Sequence, residues 1–180
     1  MVEILRHPTE EDWKRCKLLA LTTMGKRYVK TMPTDEWKYR ILRSPHSPKR
    51  TLMFTIRMQV PYFVSVHFVR HKIGVEHYVQ SQRNDRQDRY DRNDAPQSAM
   101  VTHVMDMNAD ALIQMAHMRL CGKAASETRE VMRDICRKVI EVNPEFEPFL
   151  VPQCVWHGGL CHEFEPCGFL VRELLPNNQT

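Results

Sequence analysis

The sequence predicts a single α+β domain that is rich in helices and contains a small sheet. The 180 residues are 42% hydrophobic and 27% charged, the balance of a globular domain large enough to bury its own core. Apolar residues recur at helical spacing in several segments, whereas residues 52–60 alternate apolar with mostly polar side chains, as a half-buried strand does. Because no Gly/Ser linker or long repeat divides the chain, we expect one domain over residues 1–180.

Threonine caps predict the first two helices. In TEEDWKRCKLLAL, Thr9 stands where an N-cap belongs and Asp12 follows three residues later, the spacing of a capping box. In TDEWKYRILRS, Thr34 is the expected cap, and the helix should end before Pro45 because a residue that precedes proline disfavours helical geometry.

The strand TLMFTIRMQV should end at Pro61, which also suits the first turn of a helix, PYFVSVHFVRHK. On such a helix His67, Arg70 and His71 would share one face, since they stand at i, i+3 and i+4. We expect a polar loop after this helix, up to Asp106, which is the expected cap of the next helix, NADALIQMAHMRLC. The longest predicted helix, SETREVMRDICRKVIEV, should end at Pro144.

Cationic groups are concentrated in residues 67–86, which contain three histidines, three arginines and a lysine. The next stretch, DRQDRYDRND, repeats an Asp-Arg step at residues 85–86, 88–89 and 91–92. Mutually neutralising surface ion pairs would explain this repeat, and so would a clamp for an anion, because the planar arginine fork suits phosphate. A nucleic-acid patch is also open, although Tyr90, the one aromatic residue in the repeat, gives little support for base stacking.

A cysteine-rich segment occupies residues 150–180. Cys154, Cys161 and Cys167 lie there, and Cys121 is the last residue of the predicted helix NADALIQMAHMRLC. The N-terminus resembles neither a signal peptide nor a transit peptide, so we expect a cytoplasmic protein that makes no contact with a membrane. In that compartment these four cysteines could bind a structural zinc ion, remain buried free thiols or form disulfides, and without a CxxC pair the sequence leaves the three alternatives open.

Three separated blocks resemble the flavin-dependent thymidylate synthases, the ThyX family. Arg70-His71-Lys72, eight residues and then Ser81-Gln82-Arg83 are similar to the family's Arg-His-Arg, seven residues and Ser-Gly-Arg. SPKRT at residues 47–51 takes the place of the family's (S/T)PFEH, and NADALIQMAHMRLCGKAASETRE is similar to NARSLxNFLxLRxxxxAQWEIR. The resemblance covers about residues 10–142 and identifies a short, divergent member of phage type.

The resemblance implies a ThyX-like fold with a small antiparallel sheet, in a homotetramer with shared sites. The implied activity is reductive methylation of dUMP to dTMP, with FAD as cofactor and methylenetetrahydrofolate and NADPH as co-substrates. Arg119 would be catalytic, at the pyrimidine edge. The implied substrate-binding residues are His67, Arg70, Ser81, Gln82, Arg83, Arg92 and Arg119. The implied flavin-binding residues are Ser47, Arg70, His71, Lys72, Ile73, Asn108 and Gln114.

Two alternatives remain beside that function. Transfer of a methyl or hydroxymethyl group to a related pyrimidine nucleotide would use the same residue types. A non-catalytic, zinc-containing nucleic-acid-binding protein would instead use the basic repeat and one zinc ion held by Cys121, Cys154, Cys161 and Cys167.

Overall fold

The structure, a computed structural model, describes residues 1–86 and 91–169. The strands are β1 (Val2–Arg6), β2 (Met53–Pro61), β3 (Val75–Val79) and β4 (Met100–Asn108). The α-helices are α1 (Glu10–Thr22), α2 (Asp35–Arg43), α3 (Tyr62–Phe68), α4 (Ala109–Arg119), α5 (Ser126–Val142) and α6 (Gln153–Trp156). Short 3-10 helices occupy Ser47–Thr51, Asn84–Arg86 and Pro144–Phe149. The middle of the Asp-Arg repeat, residues 87–90, and the end of the cysteine-rich segment, residues 170–180, lie outside the described residues.

The described strands form an antiparallel sheet in the order β1-β2-β4-β3. The predicted alternation of β2 is confirmed, because Phe54, Ile56 and Met58 are fully buried while Arg57 and Gln59 are exposed. Their buried face joins Met105 and Met107 of β4 and the apolar residues of α4 and α5 in one core. The fold is therefore α+β with a small antiparallel sheet, as the sequence and its resemblance predicted.

The helix caps are confirmed in two places and wrong in a third. Thr9 forms a complete capping box with Asp12, and the Thr34 hydroxyl accepts a hydrogen bond from Trp37 N. Asp106, the predicted cap of α4, lies instead in β4, where its carboxylate accepts a hydrogen bond of 2.7 Å from the Thr55 hydroxyl. Asn108 caps α4, because its side-chain oxygen accepts from Ala111 N at 2.9 Å.

The segment after β2 differs from the prediction in two ways. Helix α3 ends at Phe68, so His67, Arg70 and His71 do not share one helical face, and residues 70–74 form a turn that leads into β3. The segment that was predicted to be a polar loop up to Asp106 contains β3 and most of β4. Polar side chains such as His77 and His103 occupy strand positions there. No helix in the described part of the chain is long and apolar enough to cross a membrane.

Candidate functional site

A cleft of about 780 Å³ lies between the turn that follows α3 and the exposed side of α4. Four arginine or lysine side chains line it, together with amide and apolar groups. The lining residues are Arg50, Arg70, His71, Lys72, Ile73, Gly74, Asn108, Asp110, Ala111, Gln114, Met118 and Arg119. Such a mixture of cations, amides and apolar groups suits an anionic ligand with a flat, apolar body.

Arg119, in the last turn of α4, is held in a fixed orientation. Its Nε donates to His71 Nε2 at 2.8 Å, and its Nη2 donates to the His67 carbonyl at 2.7 Å, near the C-terminal end of α3. Partial burial, and then the charge of Arg70, lower the pKa of Arg119, although a guanidinium stays charged at any physiological pH. Both hydrogens of Nη1 have no partner among the described residues, so they are available to a ligand.

His71 is the acceptor that orients Arg119, and it must therefore be neutral at Nε2. Burial, followed by the charges of Arg119 and His77, lowers the pKa of His71 to about 4. The ring consequently remains an acceptor throughout the neutral range. Protonation of His71 would place a donor against Arg119 and disrupt the contact.

A chain of buried and partly buried hydrogen bonds supports the His71 backbone. His77 Nε2 donates to the His71 carbonyl at 2.6 Å, because a carbonyl can only accept. A neutral His77 then accepts from His103 Nε2 at 2.9 Å, and His103 Nδ1 accepts from the Ser65 hydroxyl at 3.0 Å. Burial and the nearby His77 lower the pKa of His103 to about 4, which keeps this direction of donation intact at neutral pH.

Gly74 allows the turn to approach α4 closely. Its φ is +73°, and a Cβ at this position would lie 2.4 Å from the side-chain nitrogen of Asn108. Asn108 N also donates to the Gly74 carbonyl at 2.9 Å. Glycine is therefore required here for backbone conformation and for space, and the close contact forms one end of the cleft.

Asp110 forms partly buried ion pairs with Lys49 and Arg50 at the cleft. Lys49 Nζ lies 2.9 Å from one oxygen of Asp110, and Arg50 Nε donates to the other at 3.2 Å. Burial would raise the pKa of Asp110, but the hydrogen bonds and charges of Lys49 and Arg50 hold it below its ordinary value. This carboxylate therefore neutralises part of the positive charge at the cleft.

Six of the seven residues predicted to contact a flavin line this cleft. Ser47 does not, although Arg50 of the same 3-10 helix does. Arg50 was not predicted, because it is one of the positions where SPKRT departs from the family's motif. Asp110 and Met118 were not predicted either, although they lie on α4 beside Asn108 and Gln114 and could have been found from their helical spacing.

The residues predicted to bind substrate fall into two separate groups, one at the cleft and one after β3. Arg70 and Arg119 line the cleft, and His67 contributes its carbonyl while its ring contacts the Thr128 hydroxyl at 2.6 Å. The others, Ser81, Gln82, Arg83 and Arg92, follow β3 at the end away from the cleft. The guanidinium of Arg83 pairs with Asp85 through two hydrogen bonds of 2.9 and 2.7 Å on the surface. A strand of five residues spans roughly 17 Å, so one copy of the chain does not bring the two groups together.

The predicted zinc ligands come near one another without forming a coordination site. Burial raises the pKa of Cys121, and charge on Glu163, Cys167 and Cys154 raises it further. Within residues 1–86 and 91–169, however, no group of three or more His, Cys, Asp or Glu side chains is arranged so that it could hold a metal ion.

The comparisons with known proteins agree with this fold. The family model of the thymidylate synthase complementing proteins matches residues 89–145, which include β4, α4 and α5. None of the curated protein sequences matches the chain.

Two solved structures have a similar fold. The UMP/dUMP methylase PolB from Streptomyces cacaoi, solved with 5-Br dUMP, is 15% identical, with a TM-score of 0.64 over 83% of this chain and 95% of its own. Thymidylate synthase X from Helicobacter pylori, solved with FAD and dUMP, is 12% identical, with a TM-score of 0.62 over 86% of this chain and 98% of its own. At these identities the likeness shows the fold.

Proposed function

We propose that this chain, a member of the thymidylate synthase complementing protein (ThyX) family, methylates dUMP to dTMP with FAD, methylenetetrahydrofolate and NADPH. The main support for the proposal is the fixed orientation of Arg119 in a cationic cleft, where it donates hydrogen bonds to His71 and to the His67 carbonyl. A guanidinium fixed in this way is a preorganised donor for a ligand on which negative charge develops.

The cleft has the properties that a flavin dinucleotide requires. Arg50, Arg70 and Lys72 provide cations for a pyrophosphate, and Gln114 provides an amide for polar ring atoms. Ile73 and Met118 are 92% and 53% exposed at the cleft, so apolar surface is available for a flat ring. Gly74 approaches Asn108 so closely that a Cβ would not fit, and this lets the turn pack tightly against the start of α4 at the cleft.

The residues of the chain would position the reactants. FAD, when bound, supplies the hydride transfer that converts the one-carbon unit to a methyl group. Arg119 would direct its Nη1 hydrogens to the pyrimidine edge and stabilise the negative charge that the ring gains on activation. His71 would hold the guanidinium in that orientation, and His77 would hold the His71 backbone.

The substrate phosphate would be bound by residues of another subunit. Ser81, Arg83 and Arg92 are too far from Arg119 within one chain to act on the same nucleotide, because β3 separates them. A homotetramer with sites shared between subunits would bring the second group to the cleft. Gln82, which stands where the family has a glycine, would lie beside these phosphate-binding residues.

A related substrate is the second candidate. The similar fold of PolB, a UMP/dUMP methylase, favours a test of UMP beside dUMP, and a hydroxymethyl product would use the same cleft. The nucleic-acid-binding alternative would instead use the basic repeat, in which Asp85 forms an ion pair with the preceding Arg83. That alternative predicts neither flavin binding nor turnover of a nucleotide.

Flavin analysis and a tritium-release assay test the proposal together. The purified protein, reconstituted with FAD, should show flavin absorbance and should release tritium from 5-tritiated dUMP when methylenetetrahydrofolate and NADPH are present. UMP in place of dUMP, and mass analysis of the product, would identify the nucleotide and the transferred group. Absence of flavin after reconstitution with excess FAD would refute the proposed function.

A further inference from the structure

Positive charge is concentrated in one stretch of the chain outside the cleft. Residues 13–34 contain six of the 26 lysines and arginines and none of the 22 aspartates and glutamates. The rest of the chain has 20 lysines and arginines against those 22 acids, a net charge of −2, although the whole chain carries +4. A stretch that outweighs the rest of the protein in this way creates a local positive potential, which attracts anions.

A pocket of about 520 Å³ lies within this stretch, between α1 and the loop of residues 23–34 that leads to α2. Lys17 and Leu21 line it from α1, and the loop contributes three more cations, Lys26, Arg27 and Lys30. Among the described residues no carboxylate lines this pocket, and it shares no lining residue with the cleft described above. A concave space of this size suits a small molecule.

Hydrogen bonds to α1 hold the loop at both ends. Near its far end, Lys17 Nζ donates to the Thr31 carbonyl at 2.7 Å, to the Thr31 hydroxyl at 3.2 Å and to the Met32 carbonyl at 3.2 Å. Near its start, Lys26 N donates to the Leu21 carbonyl at 3.1 Å. The backbone that carries the loop cations is therefore held around the pocket before a ligand binds, which lowers the entropic cost of binding.

The three loop cations are not paired with acids. Lys26, Arg27 and Lys30 are exposed, and in the part of the chain that the structure describes none of them forms an ion pair. The cleft differs in this respect, because Asp110 neutralises part of its positive charge. Three unpaired cations around one pocket suit a ligand that carries several negative charges close together, as a chain of phosphates does.

Tyr28 adds a flat aromatic surface beside these cations. Its side chain lines the pocket and is 65% exposed, so most of its surface is available to a ligand. Such a ring can stack on any nucleobase, because every base has a π face. One ring serves one base, whereas a run of bases in a nucleic acid would require further aromatic side chains, and no other described aromatic residue lines the pocket. The pocket therefore fits a single nucleotide better than a nucleic-acid strand.

We propose that this pocket binds a free nucleoside triphosphate, at a site separate from the cleft assigned to FAD. Lys26, Arg27 and Lys30 contact the triphosphate, which has one phosphate group for each of the three cations. Tyr28 stacks on the base, and Lys17 positions the loop. Binding involves no covalent step and no residue of the cleft, so this proposal stands independently of the proposed methylation of dUMP.

Calorimetric titration of the full-length, flavin-free protein with ATP tests the proposal. We expect one site per chain and an affinity that falls in the order ATP, ADP, AMP, because each lost phosphate removes a partner of one cation. Saturation of the protein with FAD should leave the affinity for ATP unchanged. No binding at millimolar ATP, equal affinity for ATP and AMP, or competition between ATP and FAD would each overturn the proposal, and none of these results depends on dTMP formation.

Variants separate the phosphate contacts from the base contact. Arg27→Gln should raise the dissociation constants of ATP and of inorganic triphosphate about 10-fold, since each loses a charged hydrogen-bond donor. Tyr28→Ala should raise the dissociation constant of ATP about 10-fold and leave that of inorganic triphosphate unchanged, because only ATP has a base to stack. Both side chains are exposed, so the urea midpoints of these variants should match that of the unaltered protein.

Arg15→Gln is the matched control, because Arg15 belongs to the same basic stretch and is exposed but does not line the pocket. This variant loses the same charge as Arg27→Gln and should bind ATP nearly as the unaltered protein does. An equal loss of affinity in Arg15→Gln and Arg27→Gln, or weakened binding of inorganic triphosphate by Tyr28→Ala, would overturn the proposal. A single-stranded oligonucleotide that binds through Arg27 and Tyr28 more tightly than ATP would also overturn it and would assign this surface to nucleic acid.

Discussion

Replacing Gly74 with alanine should weaken flavin binding, and Gly25 provides a matched control. Both glycines have a φ of +73°, but a Cβ at Gly74 would lie 2.4 Å from the Asn108 side chain, whereas a Cβ at Gly25 would meet nothing within 4 Å. Gly25→Ala therefore measures the cost of alanine in the left-handed region, about 1–2 kcal/mol. Gly74→Ala carries the same cost and must in addition displace Asn108.

The additional cost follows from what Asn108 does. Its side-chain oxygen caps α4 by accepting from Ala111 N at 2.9 Å, and loss of such a cap costs about 1 kcal/mol. The free energy of unfolding of Gly74→Ala should therefore lie about 1 kcal/mol below that of Gly25→Ala. Asn108 and Gly74 both line the cleft, so the dissociation constant for FAD should rise at least about 10-fold, equivalent to about 1.4 kcal/mol.

Urea unfolding and fluorescence titration of the flavin-free protein with FAD measure the two effects. Gly25→Ala should bind FAD as the unaltered protein does, because Gly25 does not line this cleft. If the two variants were equally stable and bound FAD equally well, the contact between Gly74 and Asn108 would have no part in flavin binding.

Three further predictions concern the phosphate group, the assembly and the response to pH. Arg92→Lys keeps the charge and removes the planar fork, so the KM for dUMP should rise about 10-fold while kcat stays near normal; a lowered kcat with an unchanged KM would argue against a phosphate contact. Light scattering of the flavin-bound protein at micromolar concentration should give the mass of a tetramer, and a flavin-bound monomer would contradict the shared site. His71 and His103 have pKa values of about 4 against an ordinary 6.5, so the unfolded chain takes up protons first and stability should fall as the pH is lowered from about 6.5 towards 4. Urea midpoints measured between pH 7 and 5 check this, and an unchanged midpoint would show that neither histidine is held neutral by the fold.

Local patterns predicted the elements whose signals lie within a few residues. The box formed by Thr9 and Asp12 began α1, the alternation of residues 52–60 marked β2, and Pro144 followed the end of α5. In each case the signal comes from side chains that contact their own turn or strand, so distant residues are not needed to interpret it.

The strands β3 and β4 were missed because their polarity has a tertiary cause. His77 and His103 bond to each other across the sheet and reach the His71 carbonyl and Ser65, which satisfies polar groups that the sequence suggested were solvated. The cap of α4 was misplaced because Asp106 and Asn108 are both good caps, and the pairing of β4 with β2 decides between them.

The candidate site was predicted in part. Arg119 and the turn containing His71 were found from the spacing of family motifs, and the structure brings them together. The contact between Gly74 and Asn108 joins residues far apart in sequence, so spacing could not reveal it. The antiparallel pairing of β3 with β4 likewise places the segment that contains Arg92 at the end of the sheet away from the cleft, and this pairing cannot be deduced from local patterns.

The rate of flavin oxidation in Arg119→Lys tests the central claim most directly. Lysine keeps the charge but cannot donate to His71 and the His67 carbonyl while also directing a planar pair of N–H groups at the pyrimidine. With FAD bound and reduced, and with dUMP and methylenetetrahydrofolate saturating, stopped-flow absorbance should show oxidation slowed about 100-fold or more. The surface variant Arg137→Lys, which alters an exposed ion pair with Asp134, should oxidise its flavin at the unaltered rate. Oxidation of the flavin by Arg119→Lys at that same rate would contradict the assignment of Arg119 to the pyrimidine.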